Sequence, residues 1–229
     1  MTTLTLQPDA AGGYDTFIYD QYSTRGTLTY LALGKNDLGD LHRILIKFVG
    51  ISAIPSNAII SSAVMSLYMY SEGSNQTLTY AMYRLLKDWV ETEATNEYYR
   101  ATGQPWGSTG ADLIGTDIDS VVWCSGSFIN NPTYGWYNFS LSTSEFTKFI
   151  NGTYLNYGWG LYGTGTVNNN SLYLFYSSDY NTNATLRPKL VVDYIIPSGG
   201  SQTIWWFKKW WKEQQEKKPK ILLPQGVTM

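Results

Sequence analysis

The chain has 229 residues, a length that suits one sizeable β domain able to bury most of its unfolded surface without a metal or disulfide. Aromatic residues make up 16% of it, with 19 Tyr and 9 Trp, against 15% charged residues, a balance that favours sheets over solvated helices. The single cysteine, Cys124, excludes an intrachain disulfide and a thiolate metal cluster; the single histidine, His42, argues against multi-histidine zinc chemistry; and a net charge of −2 offers no basic body for nucleic acid.

The opening MTTLTLQPDAAGG has neither a basic start nor an apolar run, so no secretory signal is read there. No apolar stretch of about 18 residues is present to span a membrane. The expectation is a protein that stays in the cytoplasm or leaves the cell by another route, such as assembly into a virus particle. Leu4 and Leu6 alternate with Thr3 and Thr5, which predicts a short strand ended by Pro8. YDTFIYD at 14–20 predicts a second strand, and Leu28, Tyr30 and Ala32 start a third that stops at Gly34. GKNDLGD, 34–40, is rich in turn residues. Its Asn36, Asp37 and Asp40 are candidate calcium ligands, in residue types that also dominate ordinary turns.

Residues 42–70 are the organising stretch. Ile44, Ile46 and Phe48 alternate with Arg43, Leu45 and Lys47; Pro55-Ser56-Asn57 breaks the run; then Ala63, Met65, Leu67 and Met69 alternate with Val64, Ser66, Tyr68 and Tyr70. Two strands joined by a turn are predicted, one face of each in a core and the other partly covered. A further strand is expected at 77–86. Beyond it Trp89, Glu91, Glu93 and Glu97 raise the question of a glycosidase, whose chemistry needs two carboxylates flanking the scissile bond. Glu91 or Glu93 with Asp112 or Asp117 would be the pair to test.

Residues 98–133 form a long glycine-rich excursion with a candidate strand at 118–123, and excursions of this length are commonly functional. Tyr98, Tyr99, Trp106 and Trp123 lie in or beside it and are the candidate carbohydrate-binding aromatics, with the alternative that Trp106 plugs the end of the core. A strand at 134–139 follows. Ser142 with Glu145 fits a capping box, and Phe146, Phe149 and Ile150 fall on one face of a helix ended by Asn151-Gly152, expected to cap an open end of the fold. Strands at 157–163, 171–177 and 189–196 complete the domain, with Asn168-Asn169-Asn170 as a hairpin-like connection. About nine to eleven strands with short loops make an all-β protein, a jelly-roll-like antiparallel β-sandwich with one short helix.

Four motifs in chain order carry a resemblance: HRILIKFVGISAIPSNAIISSA from residue 42, Trp89-Val90-Glu91 followed by Ala94-Thr95-Asn96, GQPWGSTGAD at 103–112, and RPKLVVDY at 187–194. Together, over roughly residues 3 to 196, they resemble the DNRLRE-type family of β-sandwich domains, jelly-roll-like modules appended to surface and polysaccharide-acting proteins, some of which bind carbohydrate. The chain departs from that pattern at Val49, where the family has Asp, and at Thr95-Asn96, where it has Trp before Asn. The resemblance implies a sandwich over 1–197, with Trp89 and Glu91 bracing a loop.

Ser198-Gly199-Gly200-Ser201 opens a flexible linker, 198–203, and the composition then changes. TIWWFKKWWKEQQEKK holds four of the nine Trp. Read as an amphipathic helix it places Ile204, Phe207, Trp210 and Trp211 along one side and Lys208, Lys209 and Lys212 largely on the other, with Trp205 and Trp206 beside them. Residues 204–229 carry six Lys and two Glu, net +4, on a body of ten basic and sixteen acidic groups, net −6. Such a basic, aromatic, Trp/Lys-rich arm suits docking to a protein, including a second copy of the chain, or contact with a membrane surface.

No nucleophile, base and orienting acid stand at recognisable spacing, and no phosphate loop or metal-ligand spacing is present, so the expectation is a non-enzyme without a cofactor. Two functions are expected from the sequence. The first is a virion decoration or fibre-type component whose sandwich is displayed outward while the C-terminal arm docks on a capsid or other partner. The second is a carbohydrate-binding adhesion module that reads surface polysaccharide through its aromatic loops.

Overall fold

The computed structural model describes residues 1–21, 23–72, 76–101, 103–129 and 132–197; the linker at 198–203 and the arm at 204–229 lie outside them. Among the described residues there are thirteen strands and one α-helix. Two of the strands, β7 (Tyr98–Arg100) and β8 (Gln104–Pro105), are short pieces of the excursion that pair only with each other. The rest are β1 (Thr2–Leu6), β2 (Gly13–Tyr19), β3 (Tyr30–Lys35), β4 (Leu41–Phe48), β5 (Ile59–Glu72), β6 (Leu78–Leu85), β9 (Ile118–Phe128), β10 (Gly135–Ser140), β11 (Trp159–Thr164), β12 (Tyr173–Tyr176) and β13 (Lys189–Ile195). Every pairing among them is antiparallel, and they fold as an all-β sandwich.

The front layer is built on β5. Strand β10 pairs with it over Val64 to Met69, and β13 and β12 pair with Ile59–Ser66 and Met69–Glu72. The overlap of these registers puts β10 on one edge and β13 and β12 end to end on the other, with β1 beyond β13 and β3 beyond β12. The back layer runs β2, β4, β11, β6, β9. Strand β3 belongs to both: Tyr30–Leu33 pair with β12, while Gly34 and Lys35 pair with β4. The change of layer occurs at Gly34, where φ is +108° and a Cβ would fall 2.0 Å from the Ser171 carbonyl oxygen, so no other residue fits.

The two strands of residues 42–70 form where the alternation places them but are not partners. β4 lies in the back layer and β5 in the front, joined by a 3₁₀ turn at Val49–Ala53 whose Ile51, with Ile54 and Ala58 beyond it, closes one end of the core. A connection that buries three apolar side chains is a crossover between layers, not a hairpin. The Asn168–Asn170 segment likewise joins β11 in the back to β12 in the front.

The core between the layers takes Met65, Leu67, Met69, Phe139, Phe175, Leu190 and Val192 from the front and Phe17, Ile44, Ile46, Met82, Phe128 and Leu161 from the back. Helix α1 (Thr143–Ile150) begins at Ser142, whose hydroxyl accepts the Glu145 N–H, and plugs this core with Phe146 and Phe149 against Trp123 and Trp159. A second cluster covers the outer side of the back layer. Ile18, Leu45, Leu85 and Tyr162 point away from the main core and are buried by Trp89, Ala94, Trp106, Ala111 and Ile118 of the excursion and its flanks. The part of the excursion before β9 thus serves as a third layer over the back sheet, while among the described residues no such layer covers the outer face of the front sheet.

Candidate functional site

The tryptophans of the described residues divide sharply. Trp89, Trp106, Trp123 and Trp159 are at most 4% exposed, and only Trp136, on β10, is accessible, at 36%. Trp106 donates its indole N–H to the Thr95 carbonyl at 2.9 Å inside the second cluster, and Trp123 packs among Phe146, Phe149 and Trp159. Neither has a ring face to offer a sugar, so both are core residues and not binding aromatics. Tyr98 and Tyr99 are half-buried; the Tyr99 ring lies 5.6 Å from that of Trp106, with Lys87 over it. Four residues expected to act together are therefore split between two cores and a loop.

What the fold does assemble is on the open face of the front sheet. Because β5 alternates, Tyr68 and Tyr70 project outward where Met65, Leu67 and Met69 project inward. The register brings Trp136 opposite Tyr68, with the rings 5.4 Å apart at 89°. From β12, Tyr176 stacks on Tyr68 at 5.9 Å and on Tyr70 at 4.4 Å, and Tyr180 just beyond the strand stacks on Tyr176 at 3.7 Å. Lys189 of β13 sits 4.6 Å over the Trp136 ring. The next row along the sheet is polar: Asn138 of β10 accepts the Ser66 hydroxyl at 2.7 Å.

Here, then, are five rings on three adjacent strands, bordered by an amide, a hydroxyl and an ammonium. Burial and the neighbouring Tyr30 and Tyr176 hydroxyls push Tyr70 up to about 12, and the hydrogen bond with Tyr180, then burial, raise Tyr176. The hydroxyls are therefore neutral across the physiological range, able both to donate and to accept. A rigid sheet supplies the positioning, so no loop need order itself when a ligand arrives.

The carboxylates considered for catalysis are used structurally. Buried Asp117 accepts the N–H groups of Gly107 at 2.7 Å, Ser108 at 3.0 Å and Leu113 at 3.3 Å, tying the excursion into a knot. Asp112 accepts the Ser108 hydroxyl, and Glu93 accepts the Ala101 N–H. Glu91 instead groups with Asp15 and Asp179, a constellation the sequence reading did not anticipate. In the 34–40 turn, Asn36 and Asp40 bond to each other through side-chain amide, carboxylate and backbone N–H, the pattern of a turn closed on itself. A cleft of about 540 Å³ lies between the 3₁₀ turn and the end of α1, and its lining holds no carboxylate, histidine or cysteine.

No protein-family model matches the chain, and no curated protein sequence matches it. Residues from three of the four sequence motifs nevertheless meet in space. Arg43 of β4, 8% exposed, reaches Asp20 at 3.4 Å, Asn96 at 3.5 Å and Asp112 at 3.7 Å. Its guanidinium fills the place where a Cβ on Gly110 would stand, 2.5 Å away. Among the described residues no helix is long and apolar enough to cross a membrane.

Proposed function

We propose that the protein is a non-catalytic recognition module that binds an extended glycan chain across the outer face of its front sheet. The observation that carries this reading is the aromatic surface of Trp136, Tyr68, Tyr70, Tyr176 and Tyr180 on the sheet face that nothing else in the described chain covers. The exposed part of the Trp136 ring packs on the C–H face of a sugar, while the edges and hydroxyls of the stacked tyrosines, with Asn138 and Lys189, meet the sugar hydroxyls beside it. Among the described side chains of that face no acid and base are paired, which favours binding over turnover. An exposed aromatic patch on a folded domain is itself a mark of an interaction site.

The sequence of residues 204–229 adds a second element to the proposal. A basic, Trp-rich arm on an acidic body suits attachment of the module to a larger assembly such as a virion surface, leaving the sandwich outward. The test is a glycan array probed with the full chain, followed by titration of the best ligand. Saturable binding that competes with free oligosaccharide supports the reading. A folded protein that binds no glycan on a broad array removes it and leaves the arm as the functional element.

A further inference from the structure

We propose that Asp15, Glu91, Asp179 and the Ser178 hydroxyl form a calcium site that clasps three distant segments of the chain. Asp15 is on β2, the edge strand of the back layer, and is 2% exposed. Its backbone N–H donates to Glu91 Oε1 at 2.8 Å, and its carboxylate accepts the Ser178 N–H at 3.0 and 3.2 Å. Ligand oxygens of Asp15, Glu91 and Asp179 all lie within 4.8 Å of one another. None of the three joins any of the five ion pairs among the described residues. Lys47 bears on Glu91, and Arg187 on Asp179, from beyond ion-pair distance.

The independent sign of a ligand is Ser178. Its Oγ is fully buried and has no hydrogen-bond partner, although it stands beside the Asp15 carboxylate closely enough to favour that group's charged form. It also fills the space over Gly13, where a Cβ would come within 2.5 Å of it, on the same face of β2 as Asp15. Buried hydroxyls are rarely left without a well-formed hydrogen bond, and one set beside the Asp15 carboxylate that makes none of normal geometry leaves a place for an ion or a water.

The donor set is all oxygen, which selects a hard cation over zinc or copper. Calcium at roughly 2.4 Å accepts oxygens up to about 4.8 Å apart in irregular, higher coordination, which suits ligands brought from three separate segments better than magnesium's near-ideal octahedron. Glu91 and Asp179 are half-buried, which leaves an approach from solvent and room for water to complete the shell. Because Tyr180 follows Asp179 and stacks on Tyr176, an ion here also fixes one end of the aromatic face.

The experiment is calorimetric titration of CaCl2, and separately MgCl2, into chelator-treated full-length protein, with thermal unfolding alongside. One calcium per chain is expected, with magnesium at least about tenfold weaker, and a melting temperature raised by roughly 5–10 °C at a hundredfold excess over Kd. E91Q, which retains an oxygen for the Asp15 N–H, and D179N are expected to lose at least tenfold in calcium affinity. In chelator both should melt at or above the wild-type temperature, because each removes one of the repelling charges. No heat and no melting shift in millimolar CaCl2 overturns the site, as does a calcium response that survives both substitutions. An equal response to magnesium overturns the assignment to calcium.

Discussion

Truncating Trp136 is the sharpest test of the aromatic face, because its effect can be worked from the structure. The residue is 36% exposed, so of roughly 200 Å² of tryptophan surface about 70 Å² is open to a ligand. Covering that area at about 25 cal/mol per Å² is worth about 1.8 kcal/mol, or a loss of about 20-fold in affinity for W136A. The buried remainder of the ring packs on Tyr68 under Lys189, so W136A also costs stability, and the melting temperature must be measured on the same samples. W136F keeps a ring on the sheet and is expected to recover most of the binding. The assay is calorimetric titration of the glycan selected on the array into wild type, W136A and W136F. Affinity of a folded W136A within about twofold of wild type would refute the argument, since no other accessible tryptophan exists among the described residues.

Trp106 should behave in the opposite way: W106A removes a 4%-exposed indole and its bond to Thr95, and is expected to lower unfolding free energy in urea by ~3–5 kcal/mol while the folded fraction binds glycan normally. A stable W106A that cannot bind would move the site back to the excursion. Burial pushes the Cys124 thiol up to about 12, so at pH 8 its reaction with a disulfide reagent is expected to run at least about tenfold slower than that of free cysteine, and rapid modification of the native protein would contradict its packing against the core. Burial also holds His42 below 6.5, so the unfolded chain takes up that proton more readily and this contribution to stability is lost as pH falls below 6.5. An NMR titration of the imidazole should show a midpoint under 6.5, and one at or above it would count against the buried setting.

Strand positions are readable because each strand's own alternation encodes them, and Ser142 locates the helix start as its N-cap, although only half of the capping box forms: the Ser142 N–H goes to the Trp123 carbonyl and the Glu145 carboxylate to Lys148 and Tyr154. Partners were not readable, since nothing local distinguishes a hairpin from a crossover. Ile51, Ile54 and Ala58 were the available sign that the link from β4 to β5 enters the core. The same limit hid the aromatic face. Tyr68 and Tyr70 were visible as the non-core side of β5, but Trp136 and Tyr176 join them only through pairings of β5 with β10 and β12. Glycine-rich loops commonly carry function, which points to Trp106 and Trp123, yet Trp106 belongs to the part of the excursion that covers the back sheet and Trp123 to β9, facing the main core.

That use of the excursion explains why the two proposed sites fall where they do. A sheet with apolar residues on both faces needs cover on both, and Leu45, Ile18 and Tyr162 obtain it from Trp89 and Trp106, whose loop also brings Glu91 to the free edge of β2. Asp15 on that edge is met from the front layer by Ser178, whose neighbour Ser177 bonds through its hydroxyl to the Leu28 carbonyl and whose next residues are Asp179 and Tyr180. The run Ser177 to Tyr180 therefore joins the carboxylate group at one end of the sandwich to the ring stack on its open face. The run is held by the bonds of Ser177 and Ser178, by the Arg187 Nε–H donated to the Tyr180 carbonyl at 2.8 Å and by the Tyr180–Tyr176 stack, while the charge of Asp179 bears on Asp15 and Glu91. A cation there turns repulsion among the carboxylates into attraction and steadies Asp179 and with it Tyr180, the one ring of the aromatic face that lies beyond a strand.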